Sequence, residues 1–198
     1  MRLYLMRHGI AAEPDDPRYT KDDERPLTPR GMRRTLRAVR GLVLLDIEPD
    51  LILTSPLLRA RQTAEIVARA LQFPDGRIEL TKSLLPEKRP KEFVEQLKTR
   101  EAQAKEPATP SVRPGDASSP APEPGKTSVS HFLCVGHAPN LDLVIAALIS
   151  PDQRPFTALQ KCAVACLERS TDEENRESWE LLWLLSPRQL RKIGSNED

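Results

Sequence analysis

An α/β fold, with a mainly parallel sheet between layers of helices, is what the sequence predicts, and three observations predict it. Short apolar runs alternate with longer stretches of helical periodicity along most of the 198 residues. The runs do not switch between apolar and polar residues, which marks strands buried on both faces. Helix-start signals, Thr28-Pro29 and Ser55-Pro56, stand between the runs. A chain of this length reads as one domain, residues 1–198, long enough to bury a core.

The first strand is Arg2 to Met6, and it runs out into Arg7-His8-Gly9. The polar loop "IAAEPDDPRYTKDDERP" follows, and its acidic groups Asp15-Asp16 and Asp22-Asp23-Glu24 read as solvated charge. Thr28 then caps a helix with Pro29 at its first position, and Met32, Leu36, Val39 and Val43 give that helix an apolar stripe. "PDLILTSP" is a second buried strand, and Ser55-Pro56 repeats the cap signature. The helix "PLLRARQTAEIVARAL" lines one face with Ala60, Ala64, Val67 and Leu71. "GRIELTKSLLP" offers a short third strand and a loop, and "PKEFVEQLKTREAQAK" another helix. "VSHFLCVGHAPN" is a strand that ends in Gly136-His137, with the helix "PNLDLVIAALI" behind it. "CAVACLE" and "WELLWLL", joined by the charged turn "RSTDEENRES", form a hairpin.

One stretch stands apart. Residues 105–127, "KEPATPSVRPGDASSPAPEPGKT", hold six of the nineteen prolines and almost nothing to bury, so they read as a disordered or extended insertion. Polyproline II in "PSVRP" or "PAPEP" would suit a proline-binding partner, but a passive surface loop is the simpler reading.

Bulk properties exclude several functions. A net charge of +1 gives no global field for nucleic acid, so any anion site is local. No apolar run approaches the ~20 residues of a membrane span. Arg2 and Arg7 bracket too few apolar residues for a signal peptide. Cys134, Cys162 and Cys166 are odd in number and form no C-x-x-C pair, which suits a reduced, cytoplasmic protein.

In open α/β sheets ligands gather beyond the carboxyl ends of the strands. Arg7-His8, Ser55-Pro56 and Gly136-His137 all fall at such ends, and Arg59 falls on the first turn of the helix after Ser55. Two arginines, a helix N-terminus and two histidines suit a phosphoryl group. The guanidinium forks bind its oxygens, one neutral imidazole attacks phosphorus and the other donates to a charged oxygen. Taken singly, each histidine reads as a hydrogen-bonded loop residue, and Arg59 and Arg61 as helix surface charges. His131 reads as a packed or edge residue, and Cys162 and Cys166 as core. Zinc on His8, His137 and Cys134 is disfavoured, because two arginines would repel the ion and no carboxylate has ligand spacing. Neither a metal nor an organic cofactor is implied.

Three ordered motifs, "LMRHG", "SPLLRARQTAE" and "VGHAPNL", resemble those of the histidine phosphatase superfamily. "ERPLTPRG" and the short chain make it similar to the SixA-type phosphohistidine phosphatases. The resemblance covers nearly the whole chain outside 105–127 and implies the three-layer, phosphoglycerate-mutase-like fold. It also implies His8 as a nucleophile that carries the phosphoryl group, with Arg7, Arg59 and His137 completing a phosphate pocket. Larger members protonate the leaving group with a glutamate that no residue here matches cleanly. Glu87 in "LLPEKRP" is the sole loop carboxylate considered, and a solvated charge is its simpler reading. The implied activity is removal of phosphate from phosphohistidine in a protein, either a histidine-kinase phosphotransfer domain or a phosphocarrier protein. The alternatives are a small-molecule phosphomonoesterase or mutase on the same fold, and a non-catalytic phosphoprotein-binding module. Scaffolding through the insertion is compatible with any of them.

Overall fold

Strand β1 (Arg2–Arg7) lies inside a six-stranded sheet of order β3-β2-β4-β1-β5-β6. The structure, a computed structural model, describes residues 1–73, 78–105, 130–150, 152–174 and 176–195. Lys105 closes a helix, and the rest of the predicted proline-rich insertion lies outside the described residues. The remaining strands are β2 (Leu51–Thr54), β3 (Ile78–Leu80), β4 (His131–Gly136), β5 (Val164–Thr171) and β6 (Glu177–Leu185). Between them run α1 (Pro29–Val43), α2 (Leu58–Ala70), α3 (Pro90–Lys105) and α4 (Asn140–Ile149), and α5 (Pro187–Ile193) follows β6.

Strands β3, β2, β4 and β1 are mutually parallel, while β5 and β6 add an antiparallel hairpin at the edge. Arg7 stands opposite Gly136, and Thr54 opposite Val135, so three strands end at one level. Two apolar layers sandwich the sheet. Ala38, Val39 and Leu42 of α1, Ala60, Ala64 and Val67 of α2, and Leu190 of α5 pack with Tyr4, Met6 and Ile52 on one face. Phe93 and Leu97 of α3 and Leu141, Val144 and Ile145 of α4 pack with Leu3, Leu5 and Phe132 on the other. This alternation explains why the strand runs are apolar without interruption.

Helix α1 starts as its sequence demands, with the Thr28 hydroxyl accepting from the Gly31 amide and Pro29 in the first turn. Its buried face is not the predicted stripe. Met32, Leu36 and Val43 are 41%, 44% and 41% exposed, and of that stripe Val39 alone is buried, beside Thr35, Ala38 and Leu42. The reason is close packing. At Gly41 a Cβ would come within 2.1 Å of the Leu190 carbonyl oxygen, so α1 meets α5 through its small residues.

Ser55-Pro56 does not cap α2, which begins at Leu58 with no side-chain cap. Cys162 is core, as expected, but precedes β5 in a left-handed turn (φ 69°) rather than lying on the strand. Helix α5 has no counterpart in the sequence reading, although Ser186-Pro187 opens it with a capping box to Gln189.

Candidate active site

Strands β1 and β4 are neighbours, yet the helix that follows β1 covers one face of the sheet and the helix that follows β4 covers the other. The loops leaving their carboxyl ends therefore diverge and open a crevice, the usual ligand position of such sheets. His8 and His137 stand in that crevice, 7% and 2% exposed, with ring centroids 4.9 Å apart. The His8 amide donates to the Gly136 carbonyl at 3.0 Å and so ties the two strand ends together.

Gly9 answers for the glycine of the Arg-His-Gly triplet. A Cβ there would lie 2.3 Å from Thr35 Oγ1 and 3.1 Å from Leu27, so a larger residue would push the loop off α1. Its amide donates to Thr63 Oγ1 at 3.0 Å, and the Thr63 hydroxyl donates to the Arg59 carbonyl. The loop after β1 is thus fixed to α2, the helix that carries Arg59.

The His8 Nδ1 lies 2.7 Å from the Gly9 carbonyl oxygen. A carbonyl only accepts, so Nδ1 holds the proton and Nε2 keeps its lone pair. Burial pushes the His8 pKa down to about 3, with Arg59, Arg7 and Lys161 adding repulsion against the raising effect of the Gly9 bond. His137 is pushed down to about 2, by burial first and then by His8 and Arg59. Both rings are neutral near pH 7. The His137 Nε2 lies 2.9 Å from Ser55 Oγ, which is the use of the hydroxyl that does not cap α2.

Arg7 is held by a 2.7 Å bond to the Leu159 carbonyl. Leu159 is positioned in turn by the buried Asp142, whose carboxylate accepts from the Leu159 amide at 2.9 Å and the Thr157 hydroxyl at 2.8 Å. Arg59 donates to both the carbonyl and the carboxylate of Asp22, at 2.7 and 2.8 Å. Burial raises the Asp22 pKa, but hydrogen bonds from Arg25 and Arg59 outweigh it and hold the carboxyl below its usual range. Arg7 Nε, His137 Nδ1 and Asn140 Oδ1 are buried with no hydrogen-bond partner among the described residues. Such groups cost about 1–3 kcal/mol each when unsatisfied, and the Arg7 Nε–H, which can only donate, favours an oxygen acceptor in the crevice.

All four predicted pocket residues, Arg7, His8, Arg59 and His137, therefore lie around the carboxyl ends of β1, β2 and β4. Glu87 is exposed on the turn before α3 and makes no described side-chain bond; its neighbour Lys88 accepts from Asn140 through its carbonyl. His131 sits at the opposite end of β4, 3.3 Å from the Glu48 carbonyl oxygen, and Arg61 is exposed. Cys134 is fully buried in the strand core. Sequence reasoning missed Asp22, Asp142 and Lys161. Asp22 carried a signal in its acidic cluster, whereas the contacts of Asp142 and Lys161 arise only when distant segments meet.

The depressed histidines give stability a defined pH dependence. An unfolded chain protonates both rings near the ordinary pKa of about 6.5, and the folded chain does so only near 3 and below. The stability they contribute is complete above about pH 6.5 and falls as pH drops, by about 1.4 kcal/mol per pH unit for each ring. Thermal unfolding followed from neutral to mildly acidic pH should show this decline, and His137→Gln should remove about half of the histidine-linked slope. An unchanged slope in that variant contradicts the assignment.

The family model described as the histidine phosphatase superfamily (branch 1) matches residues 3–133. An uncharacterised protein of Picosynechococcus sp. is 50% identical over 78 residues, 39% of this chain and 46% of its own length. The phosphohistidine phosphatase SixA of Escherichia coli is 36% identical over 76 residues, 38% of this chain and 45% of its own. The chain thus spans a little under half the length of these curated relatives. Among solved structures, the protein histidine phosphatase SixA complexed with tungstate is 25% identical with a TM-score of 0.71, covering 96% of this chain and 99% of that one. A mycobacterial glucosyl-3-phosphoglycerate phosphatase shares the fold at 18% identity and a TM-score of 0.56, covering 93% of this chain and 99% of that one. With the family match extending from β1 into β4, the chain belongs to the histidine phosphatase superfamily.

Proposed function

We propose that the protein is a phosphatase that removes the phosphoryl group from phosphohistidine in a protein, by way of His8. The observation that carries this reading is the 2.7 Å approach of His8 Nδ1 to the Gly9 carbonyl oxygen. Its Nδ1–H is committed to the Gly9 carbonyl, so a neutral nucleophile at Nε2 stands ready without a general base. In the first step the His8 Nε2–P bond forms and the substrate P–N bond breaks, the departing imidazole leaving neutral with a proton on its other nitrogen. Positive charge growing on His8 is stabilised through the Gly9 bond. Arg7 and Arg59 hold the non-transferring oxygens, and His137 Nδ1 completes the clamp. Water then attacks phosphorus, the P–Nε2 bond breaks, and phosphate leaves with His8 restored. The names of the Escherichia coli relative and of the tungstate-bound structure agree with this chemistry.

Choice of substrate follows from proton supply. A sugar alkoxide leaves slowly unless an acid protonates it, an effect of about 10²–10⁴-fold. Among the described residues Asp22 is the one carboxylate bonded to a pocket residue, and its arginines keep it ionised. A histidine leaving group, with a reference pKa of about 6.5, needs no such acid near neutrality. A chemically phosphorylated histidine phosphotransfer domain should therefore exceed alkyl and sugar phosphates in kcat/KM by about 10²-fold or more. Glu87→Gln should change that rate only mildly. Rapid sugar-phosphate turnover that Glu87→Gln destroys would establish a proton donor and replace this reading with a monoesterase.

A further inference from the structure

Helix α1 carries five arginines, Arg30, Arg33, Arg34, Arg37 and Arg40, and α5 adds Arg188, Arg191 and Lys192. Neither helix contains an aspartate or glutamate. Spacings of three and four place Arg30, Arg33, Arg34 and Arg37 along one face, where like charges destabilise a helix. No carboxylate pairs with any of them or with Arg191 among the described residues. In a chain of net charge +1 such a local concentration of cations is a distinct surface feature.

The surface is continuous with the active site. Arg34, Lys161 and Arg191 share a hollow of ≈ 380 Å³ with Arg7. Arg34 and Arg191 also line the next depression, with Arg30, Arg33 and Arg37. A third groove shares Arg37 and Arg191 and is floored by Leu36, Val43 and Leu44. These three are among the apolar residues of α1 and its end that the core leaves exposed, at 44%, 41% and 41%. Apolar ground edged by arginines suits a helix that presents both apolar and acidic side chains. It lacks the aromatic platforms on which nucleic-acid bases stack, and a second copy would bring arginines against arginines.

We propose that this α1–α5 surface docks an acidic, partly apolar helical face of the protein that carries the phosphohistidine, and so guides that residue to Arg7 and His8. The proposal rests on the phosphohistidine reading above and adds the partner's chemistry. Rim charges of this kind act on encounter and on salt dependence, so their effect falls on KM and fades with ionic strength.

The test uses Arg33→Glu/Arg37→Glu, since neither residue belongs to the catalytic pocket. Three substrates are compared: an acidic phosphotransfer domain phosphorylated with phosphoramidate, a phosphorylated histone as a basic phosphohistidine protein, and phosphoramidate itself. The variant should lose about tenfold or more in kcat/KM on the acidic domain, mainly through KM, and most of its salt dependence. Phosphoramidate turnover should stay within about twofold, and the histone should be turned over no more slowly. Binding of the unphosphorylated acidic domain to His8→Ala, with and without the two reversals, reads docking apart from chemistry. Equal affinity with and without the reversals overturns the proposal, as does an equal loss on all three substrates. Reversals that weaken only DNA or polyphosphate binding, or that only dissociate a dimer, also overturn it. If wild-type protein hydrolyses sugar phosphates but neither phosphohistidine protein, the functional reading fails and the docking proposal falls with it. Failure of the docking arms alone, with phosphohistidine still hydrolysed, leaves that reading standing.

Discussion

His8→Ala is expected to lower kcat/KM on a phosphohistidine protein by about 10⁴-fold or more, the scale on which loss of a covalent nucleophile is felt. Among the described residues of the crevice, His8 is the ring whose tautomer a carbonyl fixes so that Nε2 keeps its lone pair, whereas His137 has Nε2 engaged with Ser55 and Asp22 is bound to two arginines. The fold should survive, because His8 lies past the end of β1 and its backbone bond to Gly136 does not need the ring. Thermal unfolding near neutral pH should therefore stay close to wild type. A folded variant that keeps about a tenth of the wild-type rate contradicts the role given to His8.

Arg59→Ala should cost about 10²–10³-fold in kcat, the usual scale for removing one preorganised donor to developing charge. Arg59 is almost fully buried on the first turn of α2, and Asp22 and the loop tied through Thr63 fix its position. Lysine should rescue little, since an ammonium cannot reproduce the paired donors of the guanidinium fork. The loss should persist at high salt, because a buried charge is poorly screened. Full rescue by lysine, or a defect that vanishes in salt, contradicts a transition-state role for Arg59.

Most of the strand and helix order was legible in the sequence, because strands buried on both faces leave unbroken apolar runs such as Leu51–Leu53. The placement of the candidate site residues was legible for a related reason. Arg7, His8 and His137 directly follow or end such runs, and topology brings strand ends together. Face selection on α1 was not legible. Periodicity weights bulky residues, so it chose Met32, Leu36 and Val43, whereas contact with α5 at Gly41 and with Gly9 and Cys162 at Thr35 turns the side bearing Thr35, Ala38 and Gly41 inward. Ser55 misled for a different cause. A serine before proline is a good cap by local rules, yet its hydroxyl is taken by His137, 82 residues away in sequence. Asp22 on Arg59 and Leu159 on Arg7 are equally nonlocal, so no window of neighbouring residues contains them.

Phosphoryl transfer through His8 is tested most directly by trapping the phospho-enzyme. Wild-type protein would be mixed with a radiolabelled phosphohistidine domain, and halves of the sample quenched in alkali and in acid during turnover. Phosphoramidates survive base and hydrolyse in acid. The predicted result is protein-bound label in the alkaline quench alone, mapped by peptide sequencing to His8 and missing from His8→Ala. Acid-stable label on a serine, or turnover with no label on His8 in either quench, would contradict it.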